Sequence, residues 1–80
     1  MSNQVNSIPY NPDKLRTMIE GGCTAREIML ELRISAFTLM EQLVMLQEID
    51  RKIYITEGLF DDPEKEKATF RKAGIVFHKE

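Results

Sequence analysis

The stretch TAREIMLELRISAFTLMEQL, residues 24–43, decides the fold of this chain. Thr24 and Glu27 have the spacing of a capping box, in which the hydroxyl and the carboxylate satisfy backbone N–H groups at the start of a helix. Ser35 is a good N-cap for a second helix. The stretch therefore predicts two helices joined by a turn at residues 33–35.

Apolar side chains dominate the second of these helices, which continues to Ile49. They form two rows at helical spacing, Leu39, Leu43 and Leu46 in one, and Phe37, Met40 and Val44 in the other. A helix with apolar residues on two faces is covered on both sides. A single 80-residue domain has little apolar surface with which to cover both sides, so the second cover is expected from another subunit.

A further helix is predicted before this pair. Asn11-Pro12-Asp13 combines an N-cap, a proline suited to the first helical position and an acid favoured by the helix dipole. Gly21-Gly22 ends this helix. Residues 1–10 are polar and are expected to form a flexible arm, anchored by Val5, Ile8 and Tyr10, ahead of a domain at residues 11–80.

After residue 52 the pattern changes from helical to alternating. Ile53 and Ile55 face one way and Tyr54 the other, as in a half-buried strand. Residues 69–71 and 75–77 are expected to be further strands, and residues 61–67 a charged loop or short helical turn. The predicted fold class is α+β, with a three-helix bundle followed by a two- or three-stranded β wing.

This order resembles the winged-helix branch of the helix-turn-helix superfamily, over about residues 12–77. The usual apolar positions of that motif match Ile28, Leu32, Ile34, Leu39 and Leu43. The resemblance implies that the third helix enters the major groove of DNA and that the wing touches the DNA backbone. Two positions depart from the pattern: Arg33 stands where glycine is common, and Met29 where alanine is common.

The DNA-binding candidates follow from this placement. Base contacts would come from Ser35, Thr38 and Gln42, and phosphate contacts from Arg26, Arg33, Arg71 and Lys72. Against this stands the charge of the third helix, because residues 36–49 contain no Lys or Arg but do contain Glu41 and Glu48. The alternative is that each of these cations is an ordinary solvated surface residue without a binding role.

A protein interface is the competing interpretation of the same helix. Phe37, Met40 and Val44 lie at i, i+3 and i+7 on the outward row, and contiguous exposed apolar patches usually mark contacts. The bland alternative is that the wing or the arm covers this row and makes it core.

Several function classes have little support in the sequence. One cysteine, Cys23, rules out an intramolecular disulfide, and a single histidine, His78, makes a metal cage from one chain unexpected. No paired nucleophile and base suggests an enzyme, and no cofactor is implied. No apolar run approaches the ~20 residues of a membrane span, and no secretory signal is evident, so the cytoplasm is expected.

The sequence thus predicts a small regulatory helix-turn-helix protein that acts as a homodimer and binds double-stranded DNA. The alternative is an interaction or dimerisation module that contacts another protein and does not read DNA. Net charge does not help the first interpretation, because thirteen acids outnumber eleven Lys and Arg.

Overall fold

The computed structural model describes residues 10–78, which form four α-helices and one short 3-10 helix. In chain order these are α1 (Pro12–Glu20), α2 (Ala25–Leu32), α3 (Ala36–Ile49), the 3-10 helix (Glu57–Leu59) and α4 (Pro63–Lys72). The part of the chain described contains no strand or sheet. Its sheet-like pairing is one isolated parallel bridge between Ile55 and Phe77.

The first three helices begin where the sequence predicts, and each start is held by a side chain. Asn11 Oδ1 accepts from the Lys14 N–H at 3.1 Å. The capping box of α2 is complete, because the Thr24 N–H donates to the Glu27 carboxylate at 2.8 Å and the Glu27 N–H donates to the Thr24 hydroxyl at 3.2 Å. These bonds satisfy N–H groups that have no partner within their helices.

One hydrophobic core joins all of the helices. Its fully buried members include Leu15 from α1 and Ile28 from α2. The leucine row of α3 is completely buried as predicted, at Leu39, Leu43 and Leu46. The second part of the chain contributes further buried side chains: Ile53, Ile55, Leu59, Phe60, Phe70 and Ile75.

The predicted α+β fold class, with its β wing, is wrong. Residues 69–71, expected to be a strand, lie inside α4, which begins at Pro63 and buries Phe70. Proline suits the first turn of a helix, and Arg71 and Lys72 in the last turn suit the negative end of its dipole. The expected alternation at residues 53–56 is present, with Ile53 and Ile55 buried and Tyr54 exposed, but no neighbouring strand extends the pairing.

The end of the described chain is held by hydrogen bonds from a side chain, by a backbone hydrogen bond and by a contact between two rings. The Gln47 carboxamide bonds to both backbone groups of Val76: Nε2 donates to the carbonyl and Oε1 accepts from the N–H, each at 2.9 Å. The His78 N–H donates to the Ile55 carbonyl at 2.8 Å, and the His78 ring lies 4.5 Å from that of Tyr54. Residues 75–78 therefore lie between α3 and residues 53–56.

Most of the expected N-terminal arm, including Val5 and Ile8, lies outside the described residues. Tyr10, the first described residue, is 36% exposed, and burial raises the pKa of its phenol while the charge of Arg16 opposes the rise. Between residues 10 and 78, no helix is long and apolar enough to cross a membrane.

Candidate interaction surface on helix α3

Helix α3 presents an exposed apolar surface on the side opposite its buried leucines. We call this surface the α3 outer face, and it consists of Phe37, Met40, Glu41, Val44, Met45 and Glu48. Phe37 is 65% exposed and Met45 is 41% exposed, whereas Met40 and Val44 are half-buried and pack against the core. The second apolar row of the sequence is therefore partly core and partly surface.

Two neighbouring open cavities run along this face and meet at Val44. The first, of about 420 Å³, lies among Phe37, Met40, Met45 and Ala73. The second, of about 490 Å³, shares Val44 with the first and is otherwise lined by Gln47, Glu48, Arg51, Gly74, Val76 and His78. Together they form what we call the α3 groove, with α3 as one wall and residues 73–78 as the other.

Gln47 fixes the second wall of the groove. Its two hydrogen bonds to Val76 reproduce the pairing that a neighbouring strand would provide, although the partner is a helix side chain. The bonds hold Val76 beside α3 while leaving its side chain 59% exposed. The groove is thus bounded by a segment that the Gln47 carboxamide joins to α3, while the Ile55–Phe77 bridge joins the same segment to residues 53–56.

The charge of the groove is negative along α3. Glu41 and Glu48 are both exposed, and neither belongs to an ion pair within residues 10–78. The four ion pairs found there use only Lys14, Arg16 and Lys67 as cations. Arg51, just after α3, is a cation that lines the groove with Glu48, but it forms no ion pair within the described residues. Two exposed carboxylates outside any such pair, beside exposed apolar side chains, favour a partner that carries both cations and a packing surface.

The residues predicted to read bases differ in exposure, with Ser35 exposed, Thr38 half-buried and Gln42 buried. The Ser35 hydroxyl caps α3 by accepting from the Thr38 N–H, and it donates to the Thr38 hydroxyl, each at 3.1 Å. Gln42, expected to be polar and outward, is only 7% exposed. It lies three residues after Leu39 and four before Leu46, which places it on the buried face, and this spacing was visible in the sequence.

The predicted phosphate contacts are exposed but are placed differently from a wing. Arg26 lies in the first turn of α2 and Arg33 directly follows the last residue of that helix, and neither forms an ion pair within the described residues. Arg71 and Lys72 lie in the last turn of α4 rather than in a hairpin. These four cations therefore come from three helix ends: the start of α2, the end of α2 and the end of α4.

The sequence interpretation also missed exposed apolar side chains. Leu30 on α2 is 71% exposed, and Ile49 at the end of α3 is 66% exposed. Ile49 was recognised as apolar, but its exposure depends on how α3 packs. The double contact of Gln47 with Val76 had no sequence signal, because it joins residues 29 positions apart.

Within the described residues, no group of three or more His, Cys, Asp or Glu side chains is arranged to hold a metal ion. No protein-family model matches the chain, and neither a curated protein nor a solved structure matches it.

Proposed function

We propose that this chain is a small protein-interaction module that self-associates through the α3 outer face. The observation that carries the proposal is the exposure of Phe37 and Met45 beside the α3 groove. Burying such side chains against a partner removes apolar surface from water, which is the main driving force for association. The proposed compartment is the cytoplasm, as expected from the sequence.

The electrostatics of α3 favour a protein partner over DNA. No Lys or Arg occurs from residue 36 to residue 49, whereas attraction to phosphates supplies most non-specific affinity for DNA. Glu41 and Glu48 would repel the phosphates of a duplex against this helix. Burial of Gln42 also removes the side chain best suited to a base contact.

Sedimentation analysis at micromolar concentration tests self-association. We expect the wild-type chain to sediment as a dimer, and the double variant Phe37→Ser/Met45→Ser to sediment as a monomer. Leu30→Ser is the matched control, because it makes an equally exposed apolar residue polar on another helix. A wild-type chain that remains a 9.3 kDa species throughout this range contradicts the proposal.

DNA binding is a second candidate, supported by two exposed arginines, Arg26 in the first turn of α2 and Arg33 directly after that helix, neither of which forms an ion pair within residues 10–78. If these cations bind phosphates, affinity for a random duplex should be weak and should fall as salt rises. Replacing Arg33 and Arg71 together by Ala should then abolish binding, whereas Lys52→Ala should change it little. Absence of binding at low salt contradicts this second candidate and leaves self-association unaffected.

A further inference from the structure

Helix α4 carries an exposed stripe that the proposed self-association, as described so far, does not involve. Lys65, Ala68, Thr69 and Lys72 are all exposed, and their spacing of three, four and seven residues places them on one side of the helix. The opposite side holds the buried Phe70. Neither lysine takes part in an ion pair within residues 10–78. We call these four residues the α4 stripe.

The charges of the α4 stripe are opposite in sign to those of the α3 outer face and have the same spacing. Lys65 and Lys72 are seven residues apart, as are Glu41 and Glu48. Seven residues of helix span about 10.5 Å, so two lysines on one helix and two glutamates on another can pair simultaneously. The side chains between the lysines are small, whereas those between the glutamates include the bulkier Val44 and Met45.

From this match we propose that the α4 stripe of a second copy docks in the α3 groove, with its two lysines paired to Glu41 and Glu48. The inference rests on the proposed self-association and names the surface that the second copy contributes. Small residues on α4 allow the two helices to approach closely over the exposed apolar side chains of α3. Long lysine side chains then reach the carboxylates at both ends of the contact.

Each copy carries both surfaces, so a two-fold arrangement makes the contact twice and closes the assembly. The two surfaces are also neighbours within one chain, because Ala73, immediately after α4, lines the groove beside Phe37. The competing arrangement, α3 against α3, would bring four glutamates together with no cation on either helix, and the Arg51 that follows each helix would offset only part of that charge. Like charges across an interface suppress that pairing.

Charge reversal tests the contact directly. We expect Glu41→Lys/Glu48→Lys and Lys65→Glu/Lys72→Glu each to weaken dimerisation roughly tenfold or more, because four attractive pairs become repulsive. An equimolar mixture of the two variants should form a heterodimer, since each contact then joins opposite charges. The quadruple variant should recover the wild-type dimer, because both surfaces are exchanged together.

Arg26→Glu/Arg33→Glu is the matched control, because it changes net charge as much as Lys65→Glu/Lys72→Glu but lies on other elements. It should dimerise as the wild type does. Sedimentation gives the dissociation constants, and circular dichroism verifies that each variant is folded. If one double variant does not fold, the quadruple variant still decides, because a dimer weaker than that of the control overturns the inference.

The outcomes separate this inference from the proposed function. A wild-type dimer that is unaffected by Lys65→Glu/Lys72→Glu overturns the α3–α4 contact and leaves self-association standing. Failure of the mixture to form a heterodimer overturns the contact as well. A wild-type chain that never dimerises overturns both.

Discussion

The two parts of this chain reach the same core by different means. In residues 11–50, three helices are each opened by a side-chain cap, and the leucines of α3 fill the centre. In residues 51–78, the segments around α4 are joined by one parallel bridge, the Gln47 contact and aromatic packing. The first part is specified mainly by local signals, whereas the second depends on contacts between residues far apart in sequence.

An aromatic cluster accompanies the buried aliphatic side chains in the second part of the chain. The ring of Phe60 lies 4.9 Å from that of Phe70 and 5.5 Å from that of Phe77. Lys67 lies 5.9 Å from the centre of the Phe77 ring and forms a 2.7 Å ion pair with Glu57. This cluster joins α4, the 3-10 helix and the end of the described chain.

The largest effect is expected at the centre of this cluster. Phe70 is 4% exposed, so Phe70→Ala should lower the free energy of unfolding by about 3–5 kcal/mol through lost burial and the cavity left behind. Thr69→Ala, at an exposed neighbouring position, is the control and should change little. Chemical denaturation measures both changes.

The shape of the transition tests whether the two parts unfold together. If they form one cooperative unit, Phe70→Ala shifts a single transition. If residues 51–78 are only loosely attached, the variant exposes them while the amides of Leu39 and Leu43 keep their hydrogen-exchange protection. That result would break the comparison, because the second part would then contribute little to the common core.

The second effect tests the leucine row in the other part. Leu43 is completely buried in the middle of α3, and Leu43→Ala should cost about 2–5 kcal/mol of unfolding free energy. Met45→Ala, 41% exposed on the same helix, should cost much less. Equal losses in thermal melts would mean that the buried and outer faces of α3 are wrongly assigned.

Local sequence signals account for the parts of the fold that were predicted correctly. Thr24 with Glu27, and Ser35 before an apolar run, identified helix starts without tertiary information, because cap and helix lie within four residues. A strand was wrongly predicted at Thr69-Phe70-Arg71. Three residues of strand-like composition are a weak signal, and here they lie inside a helix that begins at Pro63. The α4 stripe could not be predicted once that segment was assigned to a wing.

The outer face of α3 was only half predictable. The spacing of Phe37, Met40 and Val44 identified the row, but which of them is covered depends on residues 73–78. Gln42 was misplaced because a polar residue was assumed to face outward, although its spacing from Leu39 and Leu46 placed it inward.

A smaller effect is expected at the contact that connects the two parts. Gln47→Ala removes both hydrogen bonds to Val76, and at about 0.5–1.5 kcal/mol each the loss should be about 1–3 kcal/mol. Gln47→Glu should not restore stability, because a carboxylate cannot donate to the Val76 carbonyl. Glu20→Ala, at an exposed position of α1 without a side-chain hydrogen bond in the described part, is the control.

Hydrogen exchange locates the effect of Gln47→Ala. The amides of Val76 and His78 should exchange faster, while that of Leu43 should change only as far as global stability does. Unchanged exchange at Val76 would show that the carboxamide does not hold this segment against α3.

The smallest effect concerns the one strained position in the well-capped part. Arg33, directly after α2, has φ of 57° and ψ of 47°, the left-handed region, and the Ile34 N–H donates to the Met29 carbonyl at 3.1 Å. Residues with a Cβ adopt this conformation at a cost of about 1–2 kcal/mol, which glycine avoids. Part of that gain is lost, because glycine also adds freedom to the unfolded chain, so Arg33→Gly should stabilise by about 0.5–1 kcal/mol. Arg33→Ala distinguishes the effect of backbone conformation from the effect of losing the side chain, since it removes the guanidinium but keeps the Cβ. The midpoint of urea denaturation should therefore be higher for Arg33→Gly than for the wild type or Arg33→Ala. Equal midpoints for the two variants would show that this turn stores no strain.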